Sequence, residues 1–132
     1  MTDEEREYIK YRIAKANETI DEAVLMLSHG YLNTAVSRLY YACFYAVSAL
    51  LLTEGSSAPK HSGVMALFNR NWIHTGRVPV DMGRFYRLLF DSRQKGDYED
   101  MVSFEHDRVV AWLSSAKDFV SHIAQTIESQ GI

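Results

Sequence analysis

The sequence predicts an all-α protein, a helical bundle with two long outer helices, one buried helix and a short helical excursion. Three observations carry that prediction. Long stretches near both ends place apolar residues at alternating steps of four and three, the repeat of one helix face. The segment between them is apolar on nearly every side, so as a helix it needs neighbours all round. No stretch alternates apolar and polar residues for long enough to form a strand. With 132 residues, 47% of them apolar and 23% charged, the chain can bury a core without staples and reads as one domain over 1–132.

The first helix is predicted over 3–28, with Ile9, Ile13, Ala16, Ile20, Ala23 and Leu27 on one stripe. Charged residues occupy its other faces. Thr2 followed by Glu5 fits a capping box, and His29-Gly30 supplies a stop. The central helix opens near Leu32-Asn33 and runs to about Glu54, with small residues at 42, 46 and 49 that admit a close neighbour. Gly55 to Pro59 forms a loop. A third helix is expected over about 61–73, facing Val64, Leu67 and Phe68 inward, before Thr75-Gly76-Arg77-Val78-Pro79 breaks it. A fourth, about 81–94, carries Met82, Phe85, Leu88 and Leu89; Gly96 is expected to end it and Asp97-Tyr98-Glu99-Asp100 to connect onward. The last helix, about 103–129, repeats Val109, Leu113, Ala116, Val120, Ile123 and Ile127, widened by Trp112 and Phe119. No internal repeat or low-complexity segment occurs.

Composition restricts function more than it assigns it. A net charge of -3 argues against a strongly basic nucleic-acid binder while leaving room for a local basic patch. The acidic N-terminus does not read as a signal peptide. The apolar run from Leu39 to Leu52, interrupted by Ser48, falls short of the roughly 20 residues that span a bilayer, so a cytoplasmic protein without a membrane partner is expected. Cys43 lies inside the most apolar stretch and reads as a buried, inert thiol.

No self-sufficient catalytic motif is present. The five histidines (29, 61, 74, 106 and 122) include no His-x-x-x-His pair. Neighbours in Glu105-His106-Asp107 point about 100° apart on a helix, so they read as a solvated helix start rather than a metal site. No nucleophile elbow and no Gly-rich phosphate loop occurs, and neither a metal nor another cofactor is called for. Two polar intrusions remain. Arg38, Tyr41 and Tyr45 share one face of the central helix, where an unpaired guanidinium would be costly. They form either a salt bridge to another helix, completed by tyrosine hydroxyls, or a groove for phosphate or nucleobase. Arg93, four residues before Asp97, either pairs with it while Tyr98 packs on the core, or is the free cation of a cleft.

Taken in order, Ser37-Arg38-Leu39-Tyr40-Tyr41-Ala42-Cys43-Phe44-Tyr45-Ala46, Lys60-His61-Ser62-Gly63-Val64, Phe68, Gly76, Gly83-Arg84, Arg93-Gln94-Lys95-Gly96-Asp97-Tyr98 and Ala116-Lys117-Asp118-Phe119-Val120 resemble a HEPN domain. The match spans about residues 5–125, and it is with the stand-alone prokaryotic branch bearing a Tyr-Tyr-Ala signature. The resemblance implies an up-and-down bundle of about five helices on a four-helix core, commonly dimeric, working in nucleotide or RNA biology. It also implies a partner: many relatives are encoded beside a minimal nucleotidyltransferase in a toxin–antitoxin-like pair. Active relatives are metal-independent ribonucleases with an arginine followed four to six residues later by histidine. After Arg93 this sequence reads Gln94-Lys95-Gly96-Asp97-Tyr98-Glu99, without that histidine.

The leading expectation is therefore a cytoplasmic homodimer that binds a nucleotide, RNA or a partner nucleotidyltransferase. Arg38, Tyr41, Tyr45, Lys60, His61, Arg93, Asp97 and Tyr98 are its candidate binding residues. One alternative is a ribonuclease that uses Arg93 with His61 or His106. The other is a purely structural oligomerisation domain.

Overall fold

The apolar stripe beginning at Ile9 forms α1 (Asp3–Ser28). The computed structural model describes residues 1–132. The Thr2 hydroxyl accepts the Glu5 amide at 3.0 Å and donates to the Glu5 carboxylate at 3.2 Å, which satisfies one orphan amide of the first turn. Gly30, at a φ of 78°, turns the chain in the left-handed region that L side chains avoid.

The central segment is α2 (Leu32–Leu52), and eleven of its 21 residues are buried. It packs against α1, α3, α4 and α5, which accounts for its all-round apolarity. By length and composition alone the whole 21-residue helix would reach across a bilayer. It exceeds the apolar run from Leu39 because Leu32, Ala35 and Val36 also belong to it. Ala42, Ala46 and Ala49 are wholly buried, so the small residues do lie against neighbouring elements.

α3 (His61–Phe68) passes into a π-helical turn (Asn69–Ile73), so the predicted third helix changes pitch after Phe68. The wider turn buries Trp72 and Ile73, while Leu67 is only half-buried and Met65 takes an inward place. Arg77 lies over the Trp72 ring at 3.6 Å and pairs with Glu54 at 2.7 Å, tying the break to the end of α2.

α4 (Val80–Tyr98) departs most from the expectation. Its buried residues are Gly83, Tyr86, Leu89 and Ser92; Leu88 faces outward and is exposed. The helix also runs through Gly96 to Tyr98. Gly96 is there for closeness, because a Cβ at that position would sit 3.2 Å from the Phe104 ring. An Arg93–Asp97 pair spans the glycine on the helix surface. α5 (His106–Glu128) then returns, burying Val109, Trp112, Ala116, Phe119, Val120, Ile123 and Ile127. Leu113 is half-buried at the edge of that face.

The result is an up-and-down bundle of five helices without strands. Thirty-one buried apolar residues form one continuous core. Cys43 lies within it, where burial pushes its thiol far up from the ordinary range.

Candidate active site around Arg93

Arg93 projects from the last turns of α4 onto the exposed edge of α2, with only 12% of its side chain accessible. Its Nε donates to the Asp97 carboxylate at 3.0 Å, and an Nη donates to the Tyr41 hydroxyl at 3.1 Å. Three tyrosine rings surround the guanidinium carbon, at 5.2 Å (Tyr41), 5.4 Å (Tyr40) and 5.9 Å (Tyr98). The cation therefore sits in an aromatic box with one carboxylate beside it.

His61, the first residue of α3, stands against the same rings. Its imidazole centre is 4.3 Å from Phe44, 5.6 Å from Tyr41 and 5.7 Å from Tyr40. Burial in that pocket, followed by the positive charge of Arg93, lowers its pKa from the usual 6.5. The ring is thus neutral near pH 7, and the same two causes make it a weaker base than a free imidazole.

Beneath this layer Tyr40 and Tyr86 stack at 5.9 Å with nearly parallel planes. Both are fully buried. Neither hydroxyl has a hydrogen-bond partner, so both oxygens are buried orphans. Burial raises both pKa values, that of Tyr40 to about 12, and the Arg93 charge opposes the rise at Tyr40.

The predicted residues divide clearly. Arg93, Asp97, Tyr41, His61 and Tyr98 converge. Tyr98 does not pack on the core: its ring is 75% exposed and reaches only the Arg93 guanidinium. Arg38 pairs with Glu22 of α1 at 3.4 Å and also lies over the Tyr41 ring at 5.0 Å. The inter-helix salt bridge is therefore real, but the Tyr41 hydroxyl completes the Arg93 network instead. Tyr45 joins through Tyr41, ring centres 6.1 Å apart. Lys60 caps the start of α3 without a side-chain bond to the cap and is exposed. His106 opens α5 beside Asp107, at 3.4 Å, away from these rings.

Tyr40 and Phe44 are site residues that the sequence reading left in the core. They recur at the same four-residue step as Tyr41 and Tyr45, which was the available signal.

Comparison with known proteins decides the family. The HEPN domain profile matches residues 9–127. The chain belongs to the HEPN domain family. A Thermotoga maritima relative, a UPF0332 protein, is 45% identical over 125 residues, covering 95% of each chain. Two Methanocaldococcus jannaschii proteins carry the name "Putative toxin". One is 33% identical over 123 residues, covering 93% of this chain and 91% of the relative. The other is 28% identical over 120 residues, with 91% and 82% covered. Within this HEPN chain, α4 contributes the arginine and α3 the only histidine that shares its aromatic surroundings.

Proposed function

We propose that this HEPN domain binds the phosphate of a nucleotide or of RNA at Arg93. It would act as a cytoplasmic homodimer paired with a minimal nucleotidyltransferase in a toxin–antitoxin-like system. The carrying observation is the Arg93 guanidinium, desolvated on three tyrosine faces and oriented by Tyr41. A planar guanidinium matches phosphate geometry, and low surrounding polarity strengthens its charge–charge interactions. Asp97 occupies one edge and would compete with an incoming phosphate. Family membership and the toxin name of two relatives support the biological setting.

The test is titration of purified protein with uridine monophosphate and with short RNA. Arg93→Ala should abolish both interactions while the helical spectrum stays intact. Unchanged binding would remove Arg93 from the site.

A second reading, metal-independent RNA cleavage, is favoured by His61. Its neutral imidazole could take the proton of a ribose 2′-hydroxyl as that oxygen attacks the adjacent phosphorus. The P–O5′ bond would break, the His61 imidazolium would return that proton to the leaving 5′ oxygen directly or through water, and a 2′,3′-cyclic phosphate would remain. Arg93 would hold the extra negative charge as it develops. Incubation of mixed RNA in chelator distinguishes the two readings: cleavage that His61→Gln abolishes favours the enzyme, and intact RNA at high protein concentration favours binding alone.

A further inference from the structure

Fourteen lysines and arginines are present, and Arg12, Lys15, Arg38 and Arg93 are the four that sink deepest into the surface. All four lie over one of two adjacent rings. Arg93 and Arg38 flank Tyr41 at 5.2 and 5.0 Å. Arg12 and Lys15 approach Tyr45 at 5.6 and 5.9 Å. Tyr41 and Tyr45 are themselves 6.1 Å apart. The line continues to Tyr8, whose ring is 5.3 Å from the Arg12 guanidinium and whose hydroxyl accepts from Arg12 Nε at 3.1 Å.

The two ends of this line differ in charge. Arg93 and Arg38 each have a carboxylate partner, Asp97 and Glu22. Arg12 and Lys15 have none within ion-pair distance, although α1 is rich in acids. On its own helix Arg12 meets Tyr8, Ile9, Lys15 and Ala16 at the facing positions, none of them an acid. Lys15 turns to Tyr45 rather than to Glu18, three residues on. Beside Arg12 a groove of about 280 Å³ opens between α1, α2 and the approach to α3, with Phe44, Leu51, Leu52 and Val64 along it and the Ser48 and Ser57 side chains present. Phe44 also forms the wall behind His61, so groove and Arg93 site share a side chain.

We propose that Tyr8, Arg12, Lys15 and Tyr45 form a second nucleotide subsite that extends the Arg93 site into a track for single-stranded RNA. The inference rests on the phosphate-binding reading of Arg93. Two cations lacking counter-charges supply phosphate contacts, and the exposed Tyr8 ring with the partly exposed Tyr45 ring supplies aromatic surface for bases. Such alternation fits a strand whose bases are unstacked, because duplex bases present no free faces. An acidic peptide would use the cations and leave the rings idle.

The experiment measures binding of a fluorescent uridylate hexamer and of uridine monophosphate to the full chain across a range of salt. The hexamer should bind about tenfold or more tighter than the monophosphate, the gain expected from one added stack. The double variant Arg12→Gln, Lys15→Gln should erase that gain and lower the salt slope by about 1.4, two single-strand phosphate contacts. The part of monophosphate binding that Arg93→Ala abolishes should persist. Tyr45→Leu, which keeps an apolar side chain against α1, should reduce hexamer binding alike and covers the case of a poorly folded double variant. The track is overturned if both variants bind hexamer as wild type does. It is also overturned if an equal-length duplex or a glutamate hexapeptide competes as well as the single strand. Loss of monophosphate binding in Arg93→Ala reports separately on the parent site.

Discussion

The Arg93 guanidinium donates to the Tyr41 hydroxyl at 3.1 Å across 52 residues of sequence. This bond joins α4 to α2 where neither helix has another side-chain bond to the other, and it fixes which way the guanidinium fork faces. Tyr41→Phe keeps the ring and removes the acceptor. It should cost about 1 kcal/mol of stability in denaturant unfolding. Uridine monophosphate affinity should fall several-fold, since the fork would then be held by Asp97 alone. Undiminished affinity would show that Tyr41 does not orient the site.

If phosphate binds at Arg93 as proposed, Asp97 competes with it. Its carboxylate occupies Arg93 Nε at 3.0 Å and is itself a third exposed. Removing the charge with Asp97→Asn costs little stability, about 0.5 kcal/mol or less for a partly exposed i,i+4 pair. Phosphate affinity should rise, and more so at low salt. Equal or weaker binding in calorimetric titration would mean that Asp97 serves the ligand rather than competing with it.

His61 gives stability a pH dependence with a definite sign. Burial and Arg93 lower its pKa in the folded chain, while the unfolded chain takes up the proton near 6.5. Below that value the unfolded state binds more protons, so this contribution to stability is present above pH 6.5 and is lost on acidification. Thermal unfolding of wild type should therefore lose midpoint temperature between pH 7 and pH 5 faster than His61→Gln does. Parallel curves for the two proteins would remove His61 as the cause.

Most of the fold is legible in the sequence because its helices advertise themselves locally. The stripes of α1 and α5 come from residues three and four apart, and the uniform apolarity of α2 needs no knowledge of its neighbours. In α4 the environment overrides local signals: Gly96 looks like a stop but lies against Phe104 inside the helix, and Tyr86 rather than Leu88 faces the core. The site divides similarly. Spacing alone links Arg93 to Asp97 and places Tyr41 with Arg38. The bond from Arg93 to Tyr41 and the seat of His61 among Phe44, Tyr40 and Tyr41 depend on helix packing. Arg12 and Lys15 look like ordinary solvated charges on α1, since their counterpart is a ring on another helix.

The orphan hydroxyl of Tyr86 is a removable cost. The ring is fully buried and stacked on Tyr40, and the oxygen lacks a directional partner. Deleting an unsatisfied buried polar atom while keeping the ring is neutral or favourable, so Tyr86→Phe should gain up to about 1 kcal/mol. Its alkaline behaviour should follow. A tyrosine whose pKa is raised on folding contributes stability below about pH 10 that is lost as pH climbs further. The variant should lose less stability than wild type in that range. A destabilised Tyr86→Phe would instead show that the hydroxyl has a bonded role.

Two glycines of α4 should respond oppositely to the same substitution. Within a helix, Gly→Ala ordinarily gains up to about 1 kcal/mol. At Gly83 the added Cβ would meet three carbons of Ile73, at 3.2, 3.3 and 3.3 Å. Ile73 closes the π-helical turn and is itself buried, so it has little room to retreat and the helices must part. Gly83→Ala should therefore be destabilising by about 1–2 kcal/mol, the range of an overpacked core. At Gly96 the nearest atom is the edge of the Phe104 ring, at 3.2 Å. Phe104 lies in the connection before α5 and is half-buried, so its ring can shift, and the helical gain roughly offsets the crowding. Gly96→Ala should then change stability by less than about 0.5 kcal/mol. Chemical denaturation of the two variants side by side provides the check. If Gly96→Ala proves the more damaging, the connection before α5 is held more tightly than the π-helical turn.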